Sequence, residues 1–169
     1  MNKSEENHDR EIQKQFATQA KHFDQVDYPL SNREYLKWAI DNIPLSQNYI
    51  ALDNASGTGI LARALADHVQ TVHAIDASSP MLESGKAASD EEGIHNIIFT
   101  KGLAQALPYD NSSFDLTTCR LALHHFYDVE KPFQEMVRVT KPGGYVVVMD
   151  LVSPNDRDIS KIKFMSYEL

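Results

Sequence analysis

The strongest constraint on this chain lies at residues 49–69. There a short apolar run, Tyr49-Ile50-Ala51-Leu52-Asp53, passes through Ala55-Ser56-Gly57-Thr58-Gly59 into the helical run Ile60 to Val69. A strand, tight loop and helix in that order form half of a parallel crossover, which needs a second strand beside the first. The second unit follows at once: Thr71 to Ile75 ends at Asp76, and Pro80 to Ala88 reads as the next helix, with Pro80 tolerated in its first turn. Ile97-Ile98-Phe99 reads as a third strand, Phe114 to Cys119 as a fourth and Tyr145 to Leu151 as a fifth, with a helix near Val129 to Val139 between the last two. The alternation predicts an α/β fold: a Rossmann-like, doubly wound sheet, mostly parallel and covered on both faces. After Leu151 the stretch Asn155 to Glu168 reads as a helix, so the sheet is expected to end after the fifth strand and to leave an edge open to self-association.

Before the first strand, Ile12, Phe16, Ala20 and Phe23 fall on one stripe of an amphipathic helix, and Tyr28-Pro29 interrupts it. A second helix is predicted over Arg33 to Asn42, with Leu36, Ala39, Ile40 and Ile43 on its buried side and Pro44 stopping it. The organisation expected is therefore a pair of N-terminal helices, 1–46, forming a lid or cap, followed by a cofactor-binding core, 47–169. A length of 169 residues suits one domain of this kind. Sixteen Lys and Arg against 24 Asp and Glu leave a net charge of −8, which repels phosphate backbones and anionic lipid heads and argues against nucleic-acid and membrane partners. One cysteine, Cys119, excludes a disulfide framework or a cysteine metal cluster. The polar, acidic start and the lack of an 18-residue apolar run make a cytoplasmic location the expectation.

Doubly wound sheets bind ligands outside the carboxyl ends of their strands, so the residues just after each strand carry the chemistry. Small side chains at Ala55 to Gly59 let a ligand lie against backbone, and Asp76 can accept hydrogen bonds from both vicinal hydroxyls of a ribose. Together they point to a nucleoside. Gly57-x-Gly59-x-x-Ala62 also satisfies the Ala-ended dinucleotide fingerprint, so a nicotinamide-dependent oxidoreductase stays open at this point.

The later loops complete a series. Leu52 to Gly59, Ala74 to Leu82, Ala106-Leu107-Pro108-Tyr109, Ser113-Phe114-Asp115-Leu116, Leu123-His124-His125-Phe126 and Lys141-Pro142-Gly143-Gly144 resemble, in order and spacing, a class I S-adenosylmethionine-dependent methyltransferase. The likeness spans roughly residues 12 to 152 and is nearest the small-molecule group that includes the ubiquinone and menaquinone C-methyltransferases. It implies transfer of a methyl group from S-adenosyl-L-methionine to a small-molecule acceptor, leaving S-adenosyl-L-homocysteine. By the same likeness Asp53 and Ala55, Ser56, Gly57 and Gly59 would flank the methionine part of the cofactor, and Asp76 would hold the ribose. Ala77 and Met81 would pack on the adenine, Leu103 and Ala104 would meet its edge, and the region of Arg120 would face the methionine moiety. Phe16, Ala20 and Phe23 resemble the lid segment of that group.

This chain departs from the family pattern at two of these positions. Ala55 stands where the family has its first loop glycine, and Leu103 where the family has an aspartate that accepts from the adenine amino group, a bond worth about 0.5–1.5 kcal/mol. The alternative they leave is a non-catalytic S-adenosylmethionine-binding or regulatory protein on the same fold. For a general base, His124, His125 and Tyr28 are the candidates. No metal is expected, because adjacent histidines without a third ligand make no usual site. Lys141 to Gly144 is a turn by its chemistry and needs no ligand.

Overall fold

In the computed structural model the described residues are 33–152 and 161–168, together with single helical positions 7, 11, 12, 14 and 18. The elements are α1 (Arg33–Asn42), β1 (Ile50–Asn54), α2 (Ile60–Ala66), β2 (Thr71–Asp76), α3 (Ser79–Glu92), β3 (Ile97–Lys101), β4 (Phe114–Arg120), α4 (Glu130–Val139), β5 (Thr140–Val152) and β6 (Lys161–Glu168). A single 3-10 turn, Leu123–His125, lies between β4 and α4. One sheet runs in the order β3-β2-β1-β4-β5-β6. The first five strands pair in parallel, and β6 lies antiparallel on β5 from Tyr145↔Glu168 to Val152↔Lys161.

The doubly wound, mostly parallel α/β architecture is thus the one expected, with a correction at its end. Residues 161–168 are strand rather than helix, so the sheet does not end after the fifth strand and β5 is not its edge. The segment carries Ile162, Phe164 and Tyr167, residues that favour strands, and an eight-residue stretch gains from the β5 ladder hydrogen bonds that a short isolated helix could not secure.

Both faces of the sheet are covered. On one, Ala51 of β1, Val72 and Ala74 of β2 and Leu116 of β4 pack with Ala39 and Ile43 at α1 and with Leu61, Ala62 and Leu65 of α2. On the other, Leu52 and Ile75 pack with Leu107, Phe114 and Val139, and Met136 of α4 covers Cys119, Val146 and Val148. Leu61, Leu65 and Leu52 are at most 2% exposed, and each contributes about 1.5–3 kcal/mol by leaving water. In α1 the buried stripe is the one the spacing predicts, with Leu36 and Ile40 packed beside Ala39 and Ile43.

Several motif residues turn out to be scaffold. Asp115 accepts from the Ile50 N–H (2.9 Å) and from Lys141 Nζ (2.8 Å), so it ties the start of β1 to β5. Lys141 to Gly144 forms a bulge inside β5 rather than a turn before it, since pairing jumps from Phe114↔Thr140 to Leu116↔Tyr145. Gly143 takes φ +79°, and a Cβ on Gly144 would sit 2.7 Å from the Asp115 carbonyl, which is why the bulge needs both glycines. Arg138 of α4 donates to the carbonyls of Leu107 (3.1 Å) and Tyr109 (2.8 Å) and pairs with Glu135, which accepts from the Leu107 N–H at 2.7 Å. That clamp shapes the Ala106 to Tyr109 loop.

Candidate functional site

Strand order reverses between β1 and β4, so a crevice opens where the loops after these two strands diverge. The loop after β1 alternates its handedness: Ala55, Gly57 and Gly59 have φ of +56°, +57° and +71°. Its amides reach across to β2, Ser56 N–H to the Ile75 carbonyl (2.9 Å) and Gly57 N–H to Asp76 Oδ2 (2.8 Å). Asp76 Oδ1 accepts from the Ser78 N–H, also at 2.8 Å. Each carboxylate oxygen of Asp76 therefore has one partner and a lone pair left over. Burial raises its pKa, against the pull of the Ser78, Gly57 and Ala77 amides. The loop is held close to α3 because Gly85 has no side chain: a Cβ there would lie 2.4 Å from the Thr58 carbonyl oxygen.

Asp53, at the carboxyl end of β1, is 2% exposed. Its Oδ1 accepts from Thr118 Oγ1 at 3.1 Å, and its Oδ2 has no hydrogen-bond partner. Burial pushes its pKa up to about 7, opposed by the Thr118 hydroxyl, the Arg120 charge and the Ala62 amide. Ser56 Oγ, Ser78 Oγ and Asn54 Oδ1 are likewise buried without a partner. Buried polar atoms normally find one, so four of them around two adjacent strand ends mark a surface built to receive a polar ligand. After β3, Leu103 is 37% exposed and Ala104 is buried, its carbonyl accepting from Asn54 Nδ2 at 3.4 Å.

Beyond β4, His124 Nδ1 lies 2.5 Å from Asp150 Oδ1, and the His124 N–H donates to Asp150 Oδ2 at 3.1 Å. The His125 ring stacks on that of His124, with centroids 3.9 Å apart at 48°. Cys119 is buried, and burial together with the carboxylates of Asp53, Asp150 and Asp76 pushes its thiol well up, so it is no nucleophile. Among the described residues no three His, Cys, Asp or Glu side chains stand together as metal ligands, and no helix is long and apolar enough to cross a membrane.

Residues 52–148, more than half of the chain, match the family described as methyltransferase domain. The chain belongs to that family. It is similar to the uncharacterized methyltransferase YcgJ of Bacillus subtilis (strain 168), 39% identical over 105 residues that make up 62% of this chain and 42% of the relative. Similarity to the demethylmenaquinone methyltransferase of Geobacillus stearothermophilus is 32% identity over 149 residues, 85% of this chain and 64% of that enzyme. The crystal structure of YcgJ from Bacillus subtilis superposes with a TM-score of 0.70 at 34% identity, over 74% of this chain and 53% of that one. The chain spans about half the length of the curated relatives it matches.

For this methyltransferase-family chain, the structure brings Asp53, Ala55, Ser56, Gly57, Gly59, Asp76 and Ala77 to neighbouring strand ends. Arg120 ends β4 close enough for its charge to act on Asp53, and Leu103 and Ala104 follow β3. Met81 is 1% exposed and so belongs to the packed interior. His124 and His125 sit in the turn after β4. Phe16, Ala20, Phe23 and Tyr28 lie outside the described residues. Four residues escaped the sequence reading: Asn54, Ser78, Thr118 and Asp150. Asp150 had a usable signal, since it is a carboxylate at the carboxyl end of a parallel strand, as Asp53 and Asp76 are. Thr118 had none, because its value comes from facing Asp53 across 65 residues.

Proposed function

We propose that this chain binds S-adenosyl-L-methionine at the carboxyl ends of β1, β2 and β4 and directs its methyl group to a small-molecule acceptor. The observation that carries the reading is Asp76, a buried-edge carboxylate fixed by the Gly57 and Ser78 amides with one lone pair free on each oxygen, beside a loop of orphaned polar atoms. A pair of ribose hydroxyls matches that acceptor geometry. The ligand's ammonium would meet Asp53, whose unpartnered Oδ2 lacks a donor, and its methionine chain would lie along Ala55, Ser56, Gly57 and Gly59. Ala77 would contact the adenine together with the Leu103 and Ala104 segment, with Met81 backing that wall, and Arg120 would face the methionine carboxylate end.

The sulfonium supplies a methyl group already activated for transfer, so the chain has to hold the acceptor in line with it and keep water away. Exposed Leu103 in place of a carboxylate favours a second reading, a protein that binds the cofactor without transferring its methyl group. Isothermal titration with S-adenosyl-L-methionine, S-adenosyl-L-homocysteine and NADH tests the first step. Binding of the first two in the micromolar range, abolished in Asp76→Ala, is the expected result. Binding of NADH alone, or of nothing by a folded chain, refutes the reading.

A further inference from the structure

Resting on the S-adenosyl-L-methionine reading, we propose that this site reads the purine of its ligand at the ring nitrogen N1 and leaves the neighbouring 6-substituent unread. Leu103 is then a specificity-determining residue, and the site takes purine nucleosides whatever their 6-substituent, provided that N1 keeps its lone pair. The residues that meet the base follow β3. Gly102 N–H donates to the Asp76 carbonyl at 3.0 Å, extending the β2–β3 ladder by one bond. Leu103 and Ala104 therefore leave the sheet beside the residue whose carboxylate suits the ribose, within reach of the base that the ribose carries.

Adenine shows two adjacent groups on its outer edge, an amino group that donates and N1, which accepts. The segment after β3 answers only the second. Its carbonyls are engaged within the chain: Leu103 accepts from the Ala106 N–H at 3.1 Å, closing a turn, and Ala104 accepts from Asn54 Nδ2 at 3.4 Å. The exposed Leu103 side chain has no polar atom, and Gln105 is half-buried and already partnered. What the segment offers is a donor, the Ala104 N–H. It shares a planar trans peptide with the Leu103 carbonyl, so the bond that draws that carbonyl into the turn aims the N–H out of it. Asn54, fully buried at the end of β1, ties down the next carbonyl, and both peptides flanking Ala104 are thereby fixed.

A donor without an acceptor beside it makes a selective filter. A purine whose N1 carries a lone pair satisfies the Ala104 N–H. Its 6-amino group gains nothing from Leu103, and a hydrogen in that place loses nothing. Hypoxanthine differs, because its N1 carries a hydrogen: two donors would then face each other, and the amide of buried Ala104 would be left without an acceptor.

Isothermal titration compares S-adenosyl-L-homocysteine with two analogues altered only in the base: the purine form, with hydrogen at the 6-position, and the hypoxanthine form, S-inosyl-L-homocysteine. The wild-type chain should bind the adenine and purine forms within about 3-fold of each other and the hypoxanthine form at least about 5-fold more weakly. Leu103→Asp supplies the missing acceptor and should make the adenine form bind about 3- to 10-fold better than the purine form, while Leu103→Ala, which adds no acceptor, keeps the wild-type ratio. Each ratio is internal to one variant, so a change in overall stability or affinity does not disturb it. A wild-type preference for the adenine over the purine form beyond about 3-fold overturns the proposal, since the amino group is then being read. So does a hypoxanthine form that binds within about 5-fold of the adenine form, or a Leu103→Asp chain with the wild-type ratio. Failure of the folded wild-type chain to bind S-adenosyl-L-homocysteine at all overturns the functional reading itself, which the same titration distinguishes from a wrong ratio.

Discussion

Replacing Asp53 by Asn should flatten the pH dependence of stability in a defined window. The carboxyl is 2% exposed, and burial pushes its pKa to about 7, above the ordinary 3.8. A raised acid holds its proton more tightly in the folded chain than in the unfolded one. Its contribution to stability is therefore complete below pH 3.8 and is lost as pH rises toward 7. At about 1.36 kcal/mol per unit, the loss between pH 5 and pH 8 comes to roughly 2.6 kcal/mol. Asn keeps the shape and the contact to Thr118 Oγ1 but carries no charge at any of these pH values. Urea unfolding at pH 5, 6, 7 and 8 reads the difference directly. The wild-type chain should lose about 2–3 kcal/mol relative to the variant across the series, while every other titrating group cancels in the comparison. A difference that stays constant from pH 5 to 8, or grows in the opposite direction, would refute the assignment of a proton to Asp53. Because the charge is costly in the empty crevice, a cationic ammonium beside Asp53 Oδ2 should recover part of it, so added S-adenosyl-L-homocysteine should stabilise the wild type more at pH 8 than at pH 6.

Two further substitutions test the loops. Ala55→Gly removes a side chain from a left-handed position, φ +56°, where an L-residue costs about 1–2 kcal/mol; the looser unfolded chain returns about 0.4–1 of that. The net gain of about 0.5–1 kcal/mol should appear as a higher urea midpoint at unchanged slope, and a lower midpoint would show that the methyl group makes contacts that outweigh its strain. Arg138→Leu breaks the clamp on the Leu107 and Tyr109 carbonyls and leaves Glu135, whose pKa is held low chiefly by the Arg138 hydrogen bond, without its partner. A loss of about 1–3 kcal/mol is expected, with faster amide exchange at residues 105–111 than elsewhere in the chain; uniform exchange would place the clamp's effect outside that loop.

Most of the sheet was legible because a parallel strand buried on both faces leaves an unbroken apolar run, as in Ile50-Ala51-Leu52 or Val146-Val147-Val148. Loop chemistry was legible where one residue carries it alone. Asp76 follows its strand directly, and Gly57 and Gly59 are needed for backbone reasons the sequence states by itself. Reading failed where the meaning of a residue depends on what lies opposite. The bulge at Lys141 to Gly144 looks like a plain turn until the pairing on both sides of it is known. Residues 161–168 mix the helix and strand periods over too few positions to decide between them, and the β5 ladder decides. His124 invited attention as one of two adjacent histidines, but only its distance from Asp150, 26 residues on, shows which carboxylate it pairs with.

The strand order also bears on how the chain acquires its crevice. β1, β2 and β3 pair within residues 50–101, and β4, β5 and β6 within 114–168, so each half of the sheet can zip up from neighbouring segments. Among the described residues the two halves pair strand to strand through β1 and β4, in pairs such as Ala51↔Leu116 that are 65 residues apart. Closing that span carries the largest loop-closure entropy of the strand pairings described. The Asp53–Thr118 contact and the crevice mouth lie on the same join. A half-folded chain would therefore present the glycine loop and Asp76 without the wall that completes them, and a ligand spanning the join would draw the two halves together and raise the cooperativity of folding.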